Sequence, residues 1–185
     1  MSFSRLLIHS DDVAHANRLA LLLSRYGHDP VTIRRPDPLQ LPADLHGAMV
    51  DCRQLTAEWR VLCIGLAQRG LPVVLFSEAL PEHLHDQLME AGVLLVPHRV
   101  LDKEPVEAWL KQARAQQAML RRQQDAMAEM AEKLAARKLI ERAKGILMQK
   151  HQLSEEAAFA ALRKSAMEHG LTMGELSRRL LQLPG

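Results

Sequence analysis

Over its first hundred residues the chain alternates short apolar runs with amphipathic stretches, and that alternation constrains its fold more than any other feature. The apolar runs are too short for helices and are bounded by turn residues, so they read as strands. Strands separated by helix-length segments are joined by crossovers, which gives a parallel sheet covered by helices. Strands are expected at residues 5–9, 31–34, 48–50 running into Asp51, 72–76 and 93–96. Helices are expected at 14–26, 56–68 and 81–90, each followed by a glycine, Gly27, Gly70 or Gly92. The Pro-rich stretch 36–42 makes a poor helix, so the crossover after the second strand is expected to be shortened or lost.

From Val106 the pattern changes to a single long helix, with no glycine or proline until Gly145. Steps of seven give an apolar row of Val106, Ala113, Leu120, Met127 and Leu134. Trp109 and Met130 belong to a second row, which Gln116, Gln123 and Arg137 interrupt. Two further helices follow. Ser154 is a good N-cap ahead of Glu155 and Glu156, and Gly170 ends that run. Thr172 and Glu175 form a capping box that opens a last helix running to about Leu183. The expected architecture is an α/β doubly wound domain over 1–105, a linker and coiled-coil helix over 106–122, and an all-α three-helix module over 123–185.

The charge is uneven along the chain. Residues 1–105 carry 10 Lys and Arg against 13 Asp and Glu, whereas 106–185 carry 14 against 9, so the second part is the one suited to a polyanion. An apolar fraction of 48% with 25% charged residues is that of a globular chain. With aromatic residues at only 3%, a stacking platform is not expected, and nucleic acid would be met by helices and charge. No apolar run reaches the roughly 18 residues of a membrane span, and residues 1–7 do not read as a signal peptide, so the cytoplasm is the expected location. Cys52 and Cys63 lack zinc-type spacing and read as buried apolar residues. There is no nucleophile beside a base and no Gly-rich phosphate loop, so no enzyme is expected.

In a doubly wound sheet the strand carboxyl ends converge on one edge. Here that edge carries Asp11 and Asp12 after the first strand, Asp51 at the end of the third, Ser77 after the fourth and Arg99 past the fifth. Clustered carboxylates there could hold a hard divalent cation such as magnesium, with Asp11, Asp12 and Asp51 as ligands. This part resembles the receiver domain of two-component response regulators. The resemblance implies that Asp51 is the phosphoacceptor, that Ser77 is the switch hydroxyl, and that an acidic pair falls on Ser10 and Asp11 or on Asp11 and Asp12. The family's lysine falls on Arg99 or His98, a departure that weakens the switch ion pair because Arg and Lys are not interchangeable at a close phosphate contact.

Residues 134–181 are similar to the ANTAR module of transcription antitermination regulators, in which three helices bind RNA. The residues that carry the similarity are the run Ala143, Lys144, Gly145, Ile146, Leu147 and Met148, the block Glu156, Ala157, Ala158 and Phe159, then Leu162, Arg163, Ala166 and Leu176. On a helical wheel Ala136, Leu139, Ile140, Ala143, Ile146 and Leu147 share a packing face, while Leu134 and Met148 continue the opposite row of Met127 and Met130. Phe159, Leu162, Ala166, Leu176 and Leu180 are expected in the core. Gly145 is read either as a close approach of a partner or as a tight helix crossing. The expected RNA contacts are Arg137, Lys138, Arg142, Lys144, Gly145, Arg163, Lys164, Arg178 and Arg179, with phosphates giving affinity and exposed loop bases giving identity.

The resemblance implies a homodimer formed through the 106–134 helix, RNA stem-loops in leader transcripts as the target, and input from a histidine kinase or from a ligand-sensing inhibitory protein. The departure at Arg99 favours the second input. The alternative is a DNA-binding regulator in which the last two helices form a helix-turn-helix and Arg178 and Arg179 meet phosphates.

Overall fold

The computed structural model describes residues 4–37, 41–78, 80–100 and 105–182. It divides into two compact units, Met1–Arg122 and Gln123–Gly185.

The first unit is built on five parallel strands: β1 (Arg5–Ser10), β2 (Asp29–Thr32), β3 (Gly47–Cys52), β4 (Val73–Ser77) and β5 (Val93–Pro97). Their order is β2-β1-β3-β4-β5, the doubly wound arrangement in which the chain reverses direction between β1 and β3. Every residue of β3 and β4 is buried, as befits strands covered on both faces. The edge strand β2 lies two residues earlier than the expected 31–34, because its register with β1 pairs Arg5 with Asp29 and Ile8 with Thr32. No helix forms between β2 and β3 among the described residues, as the prolines require; residues 38–40 of that stretch lie outside them.

Helices α1 (Val13–Arg25), α2 (Ala57–Gln68) and α3 (Glu82–Glu90) link the strands. The alternation of side chains along each strand sorts the core into two clusters. On one face Leu6, Ile8, Met49, Val74 and Phe76 meet Leu19 and Leu23 of α1. On the other Leu7, Ala48, Val50, Cys52 and Leu75 meet Trp59, Leu62, Cys63 and Leu66 of α2 and Leu88 of α3. Both cysteines are buried, as expected.

The long helix α4 (Val106–His151) begins as part of this unit. Val106, Leu110 and Ala113 are buried with the α1 cluster, so the first members of the heptad row meet the sheet and are not available as a seam between copies. Further along, the Gln117 amide donates to the carbonyls of Ala67, in the last turn of α2, and of Gly92, just past the end of α3. Gly92 has a φ of +92°, and a Cβ there would lie 2.7 Å from Gln117 Nε2, so both conformation and space demand glycine.

The second unit contains the remainder of α4 with α5 (Glu155–Glu168) and α6 (Met173–Gln182). Ser154 accepts from the Ala157 N–H at the start of α5, and Thr172 and Glu175 exchange the two bonds of a capping box at the start of α6. The expected extension to Leu183 lies outside the described residues. Ala143, Leu162, Ala166 and Leu176 are buried together, with Leu147, Leu171, Met173 and Leu180 packed against them. Two residues expected inside are not there: Phe159 is 44% exposed and Ile146 41%. The core stripe of α5 runs through Ala158, Leu162 and Ala166, and Phe159 lies one residue, about 100°, off it. The tight crossing sits at Gly174, where a Cβ would stand 3.1 Å from that of Ala136. Gly145 faces open space, which removes the crossing explanation for it.

Candidate functional site

Two regions carry the residues singled out from the sequence. The first is the carboxyl edge of the sheet. Register places Ser10 beside Asp51, and the Asp51 carboxylate is buried. Its Oδ2 accepts from Ser10 Oγ at 2.7 Å and from His15 Nδ1 at 3.1 Å, and its Oδ1 accepts from His98 Nδ1 at 2.6 Å. A carboxylate can only accept, so each imidazole presents a donor to it. Neither histidine is marked in the sequence as a partner of Asp51. His98 was one of two places for the family's lysine, and His15, inside α1, gave no signal of its own. Of the two, Arg99 is exposed on a short 3-10 turn, and the imidazole of His98 reaches Asp51.

The other acids are placed differently from the expected cluster. Asp12 is the N-cap of α1, accepting from the N–H groups of Ala14 and His15. The His15 bond and then the Ala14 bond hold its carboxyl below the usual range. Asp11 accepts from the Arg53 N–H through Oδ2 and lies 3.4 Å from His9 Nε2 through Oδ1. Ser77 pairs in register with Cys52, one step beyond Phe76, the partner of Asp51. Ser77, His85, Leu95, His98 and Arg99 line a cleft of about 630 Å³ beside this edge. A magnesium ion takes oxygen ligands. Here one carboxylate faces two imidazoles and a hydroxyl, the second caps a helix and the third turns to another histidine, so these residues do not fit that ion.

The second region is the outer surface of the helical unit. Arg137, Lys138, Arg142, Arg163, Lys164, Arg178 and Arg179 are all exposed. Lys144 is the exception to the expected set. It is buried, with Nζ 2.6 Å from Glu141 and 2.7 Å from Glu155, so its charge is matched within the unit. The hydrogen bonds to Glu141 and then Glu155 push its pKa up, and the same contact lowers that of Glu155. On the outer face of α5, Phe159, Ala160, Arg163, Lys164 and Met167 line a shallow depression of about 390 Å³. Lys164 makes only a long contact with Glu168, at 3.9 Å.

Residues 128–181 match the model of the ANTAR domain. Among curated proteins the chain is 29% identical over 123 residues to the transcriptional regulatory protein PdtaR of Mycobacterium tuberculosis, a match covering 64% of this chain and 58% of that protein's length. It is 46% identical over 55 residues to the nitrate regulatory protein of Klebsiella oxytoca, covering 30% of this chain and 14% of that one. Among solved structures, full-length FixJ from B. japonicum superposes with a TM-score of 0.51 at 14% identity, covering the whole of both chains. Among the described residues no helix is long and apolar enough to cross a membrane. The segment that matches the ANTAR domain thus follows a five-stranded doubly wound sheet, and the chain is similar over 64% of its length to a transcriptional regulatory protein.

Proposed function

We propose that this chain is a signal-responsive RNA-binding antitermination regulator that stabilises stem-loops in leader transcripts through its ANTAR unit. The observation that carries the reading is the outer face of α5. Phe159, Arg163 and Met167 recur every four residues, Lys164 lies beside them, and all are exposed while Ala158, Leu162 and Ala166 fix the helix from within. An exposed ring next to two cations suits an RNA loop, since the ring can stack on an unpaired base while the cations meet its phosphates. Arg137, Lys138 and Arg142 on α4 and Arg178 and Arg179 on α6 add to the positive field; Lys144 does not.

The receiver domain supplies the input. His98 in place of a lysine at Asp51 favours an inhibitory partner protein over phosphorylation as that input. Met127, Met130 and Leu134 are more than half exposed on α4 and form the apolar row through which two copies would pair, in the cytoplasm. The similarity to a transcriptional regulatory protein, PdtaR, and to a nitrate regulatory protein supports a regulatory role.

Competition gel shifts of the full chain against hairpin RNA and duplex DNA of matched length test the reading. RNA is expected to compete and DNA to compete poorly. Phe159→Ala should weaken RNA binding about 5- to 150-fold, the range of one lost base–aromatic stack. Arg163→Glu with Lys164→Glu should weaken it and flatten its salt dependence. Equal competition by DNA would favour the helix-turn-helix reading, and unchanged affinity in both variants would remove α5 from the interface.

A further inference from the structure

The carboxyl edge of the sheet has a second constellation, on the face opposite Asp51. Leu7, Ala48, Val50 and Cys52 all belong to the α2-side cluster, so side-chain alternation places His9 of β1, Asp11 just past its end and Cys52 of β3 on that side. Trp59 of α2 stacks on the His9 ring, centroids 3.8 Å apart, and holds its plane. One nitrogen of His9, one oxygen of Asp11 and the sulfur of Cys52 all lie within 4.8 Å of one another.

The tautomer of His9 follows from its contacts. Nδ1 lies 3.1 Å from the carbonyl of Ile33, which can only accept, so Nδ1 carries the hydrogen. In the neutral ring Nε2 then holds a lone pair. That atom is buried without a hydrogen-bond partner, in a residue only 5% exposed, and faces the Asp11 carboxylate oxygen 3.4 Å away. Two acceptors facing one another need a positive centre between them, either a proton on Nε2 or a bound cation. A histidine whose far nitrogen donates to a backbone carbonyl is arranged as metal-bound histidines are. Asp11 is oriented in the same manner by the Arg53 N–H on its other oxygen.

We propose that His9, Asp11 and Cys52 form a binding site for a borderline-soft divalent cation of the zinc type, with water as the fourth ligand. Nitrogen, carboxylate oxygen and sulfur are the ligands zinc takes, and three protein ligands with one open position is an established zinc arrangement. Bonds of about 2.0–2.3 Å around a tetrahedral ion put ligand atoms about 3.5 Å apart. The His9–Asp11 pair is already at that separation. Asp11 reaches solvent and gives the ion a way in, whereas Cys52 is fully buried. Burial, with Asp11, Cys63 and Asp51 nearby, pushes the Cys52 thiol up, so the metal-free site holds it protonated; on binding, the thiol proton leaves to solvent and the thiolate bonds the metal. Because Cys52 follows Asp51 directly, an ion here would brace the strand end that carries the receiver's aspartate.

Cobalt(II) added to the reduced full-length chain tests the site, since a thiolate ligand gives a near-ultraviolet charge-transfer band that histidines and carboxylates do not. One equivalent should produce the band, and zinc should displace it. Cys52→Ala should abolish it, Cys63→Ala should retain it, and Asp11→Asn, at an exposed position where folding is not at risk, should weaken cobalt binding at least about tenfold. Absence of the band from the full-length chain, its survival in Cys52→Ala, or undiminished affinity in Asp11→Asn would each overturn the proposal.

Discussion

Leu110→Ala measures where the long helix uses its apolar residues. Leu110 has no exposed surface and is packed within the cluster that joins α1 to one face of the sheet. Truncation removes three carbon atoms from a fully packed position and leaves a cavity, a change that costs about 3–4 kcal/mol. Met127, further along the same helix, is 71% exposed. Its replacement by alanine should change stability by no more than about 0.5 kcal/mol. Both tryptophans of the chain, Trp59 and Trp109, lie in the first unit and pack on its two clusters, so their fluorescence reports that unit within the intact protein. With a urea slope of about 2 kcal/mol per molar, Leu110→Ala should lower the fluorescence midpoint by roughly 1.5–2 M. Met127→Ala should leave that midpoint in place. An unmoved midpoint in Leu110→Ala, or a concentration-dependent loss of stability shared equally by both variants, would show that α4 is held by a second copy and not by the sheet.

Glu175 has its carboxyl held below the ordinary value of 4.5, chiefly by the Thr172 N–H and then by its hydroxyl. A group whose folded pKa is depressed contributes stability above its unfolded value and loses it as pH falls through the folded one, so Glu175→Gln should flatten the loss of helicity below pH 4.5, measured by circular dichroism; an unchanged acid profile would refute this. Asp51→Asn should leave RNA binding by the full chain largely unaltered, and acetyl phosphate with magnesium should change dimerisation little, because the residue reaching Asp51 past the fifth strand is a histidine. A rise in RNA affinity on phosphodonor treatment that Asp51→Asn abolishes would restore phosphorylation as the input.

Features that depend on local pattern are legible in the sequence. The order and approximate positions of strands and helices, the cap at Ser154 and the capping box at Thr172 follow from periodicity and from donors and acceptors a few residues apart, and the structure holds them apart from a two-residue shift of β2. Asp51 at the end of the third strand was legible for the same reason. Pairs far apart in sequence are set by the fold alone. His15 and His98 meet Asp51 from 36 and 47 residues away. Lys144 finds Glu155 across the turn between α4 and α5, which turns an expected RNA contact into an internal ion pair. The heptad row of α4 looked uniform, yet Val106 and Ala113 are buried against the sheet while Met127 and Leu134 remain exposed. A periodic row states that a face is apolar and not what covers it, and one step along a helix carried Phe159 from the expected core to the surface. Likewise His9, Asp11 and Cys52 show no metal-ligand spacing. They are brought together only because β1 and β3 are neighbours in register, with residues that alternate onto one face.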